Sequence, residues 1–219
     1  MAINYNNIEL NGKKAIIGES QLDPSFPVNL LVGFHGADST PENILIHGNK
    51  LSLENTVFLF PEGPVNAGKG LWSWWQDGPR QPDTVLEFIE YVNAVIDSAH
   101  KHLNLILSET TITTNLWGFS QGGAASLVYA LLGNKPINRV VSICGFLPEL
   151  PDPSAPIKTA VTFLGIYGSN DGVVPSFLAE FALEEIRSKG HLVTIKETPQ
   201  GHEITSENLT DLSDFLKSS

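Results

Sequence analysis

Six runs of nearly continuous apolar sequence constrain this chain more than any other feature: VNLLVGFHG from Val28, TVFLFPEG from Thr56, TITTNLWGFS from Thr111, INRVVSICGFL from Ile137, TAVTFLGIYGSND from Thr159 and HLVTIKETPQG from His191. A strand with one wet face alternates polar and apolar residues. A strand covered on both faces does not, and that is the condition of a parallel sheet packed between helices. The segments between the runs fit this reading. From 83 to 103, Val85, Ile89, Val92, Ile96, Ala99 and Leu103 step by three or four along one face, with Asp83 as the N-cap. Thr40-Pro41 and Pro175 open helices over 41–51 and 175–189, since proline suits the first helical position; GGAASLVYALLG predicts another helix, and a last one spans about 204–217. At the start, Asn11-Gly12 between IEL and KKAII predicts a hairpin over residues 5–17 with a type I′ turn. The expected fold class is α/β: one domain over 1–219, with a mostly parallel central sheet, helices on both faces and an antiparallel N-terminal hairpin.

Composition narrows the partners. Hydrophobic residues make up 42% and charged residues 17% of 219, so a solvating or disordered chain is not expected. A formal charge of −11 opposes binding to nucleic acid or an anionic membrane. The longest apolar stretch falls far below the roughly 20 residues needed to span a bilayer. The single Cys144 is read as a small buried residue, no zinc-ligand spacing occurs, and the expected setting is cytoplasmic.

The chemistry is carried by Gly118-Phe119-Ser120-Gln121-Gly122, a G-x-S-x-G match. A shuffled chain of this composition would hold about 0.14 such matches, so context decides. Here a strand enters the motif and a helix leaves it, as a nucleophile elbow requires: glycines let the backbones approach, and the turn lifts Ser120 clear of the sheet edge. A serine hydroxyl needs a base and a group to orient that base. Asp171 and His202 follow in order, each after a strand, with Glu149 and Asp152 as other acids past a strand end. The amide of Gln121, at a helix N-terminus, and that of Ala37, after the strand ending in Phe34-His35-Gly36, are the candidate oxyanion donors. His35 precedes the nucleophile and is read as bracing its turn.

Two irregular stretches, 64–82 and 148–156, also fall beyond strand ends. The first carries Trp72, Trp74 and Trp75; with Phe146 and Leu147 they are candidate walls of an acyl or aromatic pocket. A loop that staples itself to the domain with aromatic bulk, or a homodimer surface, are the other uses for these rings. Lys69 and Arg80 flank them and are candidates for steering a substrate carboxylate.

GFSQGG, SNDGVVP and GHEI, with FHGA upstream, resemble the phospholipase/carboxylesterase family that includes acyl-protein thioesterases, over about residue 28 to the end. The resemblance implies an α/β-hydrolase fold, a Ser120–Asp171–His202 triad, an oxyanion hole from Ala37 and Gln121, and cofactor-free, metal-free hydrolysis of small-molecule esters or thioesters. Two positions depart from the family's pattern: its HGLGD-like loop is HGADST here, and the histidine of its HG-x-x-D element is Tyr167. The expected function is a serine carboxylesterase for short acyl esters, against two alternatives: a thioesterase or lysophospholipase for longer chains, and a non-catalytic ligand-binding homologue.

Overall fold

The computed structural model describes residues 3–10, 12–107, 110–151 and 161–217. The apolar runs form the strands β3 (Val28–Phe34), β4 (Thr56–Pro61), β7 (Ile112–Phe119), β8 (Arg139–Ile143), β9 (Thr162–Gly168) and β10 (Leu192–Thr198) of one eight-stranded sheet. The sheet is completed by the hairpin β1 (Asn4–Leu10) and β2 (Lys13–Glu19), in the order β1-β2-β4-β3-β7-β8-β9-β10. From β4 to β10 every pairing is parallel, whereas β2 pairs antiparallel with both β1 and β4. Register pairs Leu10 with Lys13, leaving a two-residue turn; Gly12 has φ 72°, and Asn11 lies outside the described residues.

Continuous apolar sequence is used on both faces. Leu30, Val32 and Phe34 join the core shared with α2 (Gln81–Leu107), α3 (Gln121–Leu132) and α4 (Ser176–Ser188). Leu31, Phe58 and Phe60 point the other way, toward α1 (Pro41–Gly48) and α5 (Ser206–Lys217). Each such side chain withdrawn from water stabilises the fold by roughly 1.5–3 kcal/mol. Strand β10 departs from expectation: it is the sheet edge, so its outer positions meet solvent, Leu192 is 71% exposed, and Lys196 reaches Glu207 and Asp211 of α5.

Helix boundaries differ in detail from the sequence expectation. α1 ends at Gly48, and α2 begins at Gln81 with Asp83 inside its first turn, where an acidic side chain meets the positive end of the dipole. Pro175 occupies the N-cap position of α4, one residue before the first helical one. The stretch 64–82 also contains a small antiparallel ribbon, β5 (Val65–Gly68) and β6 (Leu71–Ser73), turned by Gly68, Lys69 and Gly70, all at positive φ.

Strand order places the site. From β3 the chain goes to one side to form β4 and later returns to the other side as β7, so the loops after β3 and β7 diverge and open a crevice at the carboxyl edge.

Candidate active site

Ser120 stands in that crevice. Its φ of 57° is a left-handed value that a non-glycine residue adopts only when its surroundings enforce it. The enforcement is visible: the Ser120 amide donates to Ile143 O of β8 (2.9 Å), and Ser120 O accepts from Ala124 N in the first turn of α3 (3.0 Å). A Cβ on Gly118 would lie 2.2 Å from Gly122 O, and one on Gly122 would lie 2.0 Å from Phe34 O. The glycines of the motif are therefore imposed by backbone contact.

Asp171 and His202 converge on the same point. Asp171 follows β9, and its Oδ1 accepts from the amides of Val173 and Val174, both at 2.8 Å. This fixes the carboxylate so that Oδ2 meets His202 Nδ1 at 2.7 Å, and His202 Nε2 lies 2.9 Å from Ser120 Oγ. Burial raises the Asp171 carboxyl, but the hydrogen bonds from His202 and the two amides outweigh it and hold the group below the usual carboxylate range. An ionised Asp171 only accepts, so Nδ1 carries the proton and Nε2 presents its lone pair to the serine hydroxyl. The Phe119 ring packs against the imidazole at 4.8 Å. Glu149 is exposed, its amide bonded to Gln81, and Asp152 lies outside the described residues.

Beneath this relay sits Cys144, buried and at φ 51°. Its Sγ, the Asp171 carboxylate and a His202 ring nitrogen all lie within 4.8 Å of one another. These donor types suit zinc, but the carboxylate and Nδ1 already satisfy each other, which accounts for the arrangement. Burial, with the Asp171 charge beside it, pushes the thiol up to about 12.

The tryptophans are placed differently from the pocket-wall expectation. Trp74 and Trp75 are 0% and 1% exposed and belong to the main core, so neither ring offers surface to a substrate. The reason is hydrogen bonding as well as bulk. Trp74 Nε1 donates to His35 O (2.7 Å), and its ring stacks 4.7 Å from the His35 imidazole. The Gln121 side chain clamps the same segment, Oε1 accepting from Trp74 N (2.9 Å) and Nε2 donating to Trp75 O (3.3 Å). Trp72 exchanges backbone hydrogen bonds with Ser39, and Ser73 Oγ bonds both the amide and the carboxylate of Asp38. β6 and the two tryptophans after it thus brace the loop that carries Ala37, which is the stapling use that the sequence offers as the alternative to a pocket wall. Trp72 is half-buried, with Lys13 over its ring at 4.3 Å. Phe146 and Leu147 pack partly buried against the main core. Arg80 pairs with Glu87.

Because Gln121 serves through its side chain as well as its position, Gln121→Ala should leave two buried backbone groups unpaired. It is expected to lower stability by about 2 kcal/mol, measured by urea unfolding, while retaining the backbone amide of residue 121.

His35 supplies a pH signature. Its Nδ1 bonds Gly36 O (2.7 Å), the residue is 1% exposed, and burial lowers its pKa from 6.5 to about 4. The unfolded chain therefore binds a proton first as pH falls. The His35 contribution is complete above about 6.5 and is lost as pH drops toward 4, roughly 3 kcal/mol in all. Urea midpoints of wild type and His35→Gln between pH 7 and 4 should show the flatter profile in the variant.

Ser120, His202, Gly36 and Ala37 open onto a groove of about 430 Å³. Phe119, Val173 and Ile204 give it an apolar side; Ser39, Asn43 and His47, reaching it from α1 and the residues before it, give it a polar one, with Ile44 of α1 between them. Sequence periodicity had not singled out Asn43 or His47.

Comparison with known proteins agrees with this fold. The Phospholipase/Carboxylesterase family model matches residues 22–219. Carboxylesterase SOBER1 of Arabidopsis thaliana is 28% identical over 212 residues, covering 85% of this chain and 89% of that protein. Two solved structures share the fold: the Bacillus cereus carboxylesterase, with TM-score 0.75, 17% identity and coverage of 94% of this chain and 93% of that one, and Zea mays acyl-protein thioesterase 2, with TM-score 0.68, 18% identity and 97% coverage of each. With its α/β-hydrolase architecture and a family match over nearly its whole length, the chain belongs to the phospholipase/carboxylesterase family.

Proposed function

We propose that this protein is a serine carboxylester hydrolase, a single α/β domain that cleaves small or short-acyl esters through an acyl-enzyme and needs no metal or cofactor. The observation that carries the reading is the unbroken relay from Asp171 Oδ2 to His202 to Ser120 Oγ, at 2.7 and 2.9 Å. His202 Nε2 takes the serine proton as Oγ attacks the ester carbonyl, and the carbonyl π electrons move onto oxygen. The amides of Gln121 and Ala37 receive that oxyanion; a donor of this kind contributes about 3 kcal/mol to the transition state. Collapse breaks the bond to the leaving oxygen, which departs with the proton from His202. A water then gives its proton to His202 and attacks the acyl-serine, releasing the acid and restoring the serine hydroxyl. Asp171 holds the imidazole tautomer and stabilises its charge throughout.

A groove of about 430 Å³ suits a compact ester. No described helix is long and apolar enough to cross a membrane, and a cytoplasmic setting belongs to the proposal. The test is a panel of p-nitrophenyl esters from acetyl to dodecanoyl, with matched thioesters. The expected result is saturable turnover that is greatest for the short oxygen esters. A steady rise in kcat/KM with chain length would favour a long-chain thioesterase or lysophospholipase instead. Stoichiometric retention of ester without hydrolysis would mark a binding protein.

A further inference from the structure

The groove beside Ser120 is polar along one wall, yet among the described residues that line it there is no lysine, arginine, aspartate or glutamate. That combination is informative, since recognition of a carboxylate or phosphate ordinarily draws on a cationic partner. On the polar wall, Asn43 Nδ2 donates to Ser39 Oγ at 3.0 Å, leaving the Asn43 carbonyl and the Ser39 hydroxyl proton for other partners. His47 is held neutral by burial and by nearby Lys50, and its buried Nδ1 has no hydrogen-bond partner among the described residues. His35 lines the same groove at 1% exposure. Its Nδ1 donates to Gly36 O, so its unpartnered Nε2 is an acceptor. The Asn43 amide and the Ser39 hydroxyl, 3.0 Å apart, offer a donor and an acceptor without net charge, and the two unpartnered imidazole nitrogens lie buried behind them. The group that satisfies both kinds is an alcohol, whose oxygen donates once and accepts twice. An alkyl group against this wall would cover the exposed Asn43 amide and the Ser39 hydroxyl and return no hydrogen bond to them.

We propose that the wall formed by Ser39, Asn43 and His47, with His35 behind it, binds the leaving half of the ester, and that this half is a neutral polyhydroxylated alcohol of the glycerol or sugar type. The inference rests on the serine-hydrolase reading. The departing oxygen is the one protonated by His202, which opens onto the same groove as the polar wall, so an alcohol leaving past His202 enters the space that this wall lines. Phe119, Val173 and Ile204 remain for the short acyl group.

The test compares 2,3-dihydroxypropyl acetate with propyl acetate, which share acyl group and carbon count and differ by two hydroxyls. Wild type should favour the diol ester by at least tenfold in kcat/KM. In Asn43→Leu, an exposed position on α1 where folding is not at stake, and in His47→Leu, that preference should fall at least tenfold, while His47→Gln should retain most of it. A wild-type preference for propyl acetate would overturn the proposal, as would variants that keep the wild-type ratio or lose both activities in proportion. p-Nitrophenyl acetate, whose activated leaving group needs no hydroxyl contact, separates the two levels. Its turnover without a diol preference removes the alcohol assignment alone, whereas its absence removes the hydrolase reading.

Discussion

Ser120→Ala is expected to lower ester turnover by about 10⁴- to 10⁶-fold, the scale on which nucleophile removal acts when a triad works as a unit. The same variant should unfold at nearly the wild-type temperature. Ser120 Oγ hydrogen-bonds His202, and the left-handed φ of 57° is imposed by backbone partners that alanine keeps. His202→Ala should lose activity on a similar scale, and adding Ser120→Ala to it should cost little more, because neither residue acts without the other. Additive losses in that double variant would mean that the two side chains serve separate functions. The measurements are kcat/KM on p-nitrophenyl acetate and thermal unfolding by circular dichroism, made on the same preparations.

The largest effect on stability is expected from Gly122→Ala. The added methyl would lie 2.0 Å from Phe34 O and 2.4 Å from His35 O, both fixed backbone atoms at the end of β3. Relief requires α3 to move away from β3, which separates the Gln121 amide from the loop carrying Ala37. A loss of about 3–5 kcal/mol is expected, at the upper end for a single substitution, and the surviving folded protein should be nearly inactive. Gly172→Ala is the control. It adds the same methyl where nothing lies within 4 Å and φ is not positive, so its effect should stay within about 0.5 kcal/mol. Urea midpoints of the two variants measure the difference.

The contrast between these two glycines shows what a linear chain discloses. The sheet was legible because burial on both faces leaves its mark on every residue of a strand, as in VNLLVGF and TVFLFP. The elbow was legible because a strand-to-helix reversal this tight needs glycine at fixed offsets from Ser120, and the order Ser120, Asp171, His202 follows from successive strand ends. Trp74 and Trp75 were misplaced for a physical reason. Bulk and aromaticity say that a ring wants cover, and the same rings can wall a cavity or fill a core. What decides is the partner of the polar atom, here His35 O for Trp74 Nε1 and the Gln121 amide for the main chain, and those partners lie 39 and 47 residues away.

The ribbon β5–β6 escaped notice because four- and three-residue strands are too short to show alternation. Gly68-Lys69-Gly70 between VNA and LWS was the available signal for a turn of that kind. The polar wall of the groove depends on how α1 is rotated against the loop after β3, and its amphipathic pattern does not specify that rotation. The apolar run at β10 resembles a doubly buried strand, because its position at the sheet edge is a property of topology, not of HLVTIKETPQG itself.

The proposed mechanism makes Ser120 the nucleophile that becomes acylated, activated by His202. Incubation with a fluorophosphonate and intact-mass measurement, followed by peptide mapping, tests it most directly, since the reagent needs an activated hydroxyl and no knowledge of the natural substrate. One adduct per chain is expected, on the peptide containing Gly118-Phe119-Ser120-Gln121-Gly122, absent in Ser120→Ala and formed far more slowly in His202→Ala. An adduct on another residue, or unchanged labelling of Ser120→Ala, would contradict the assignment.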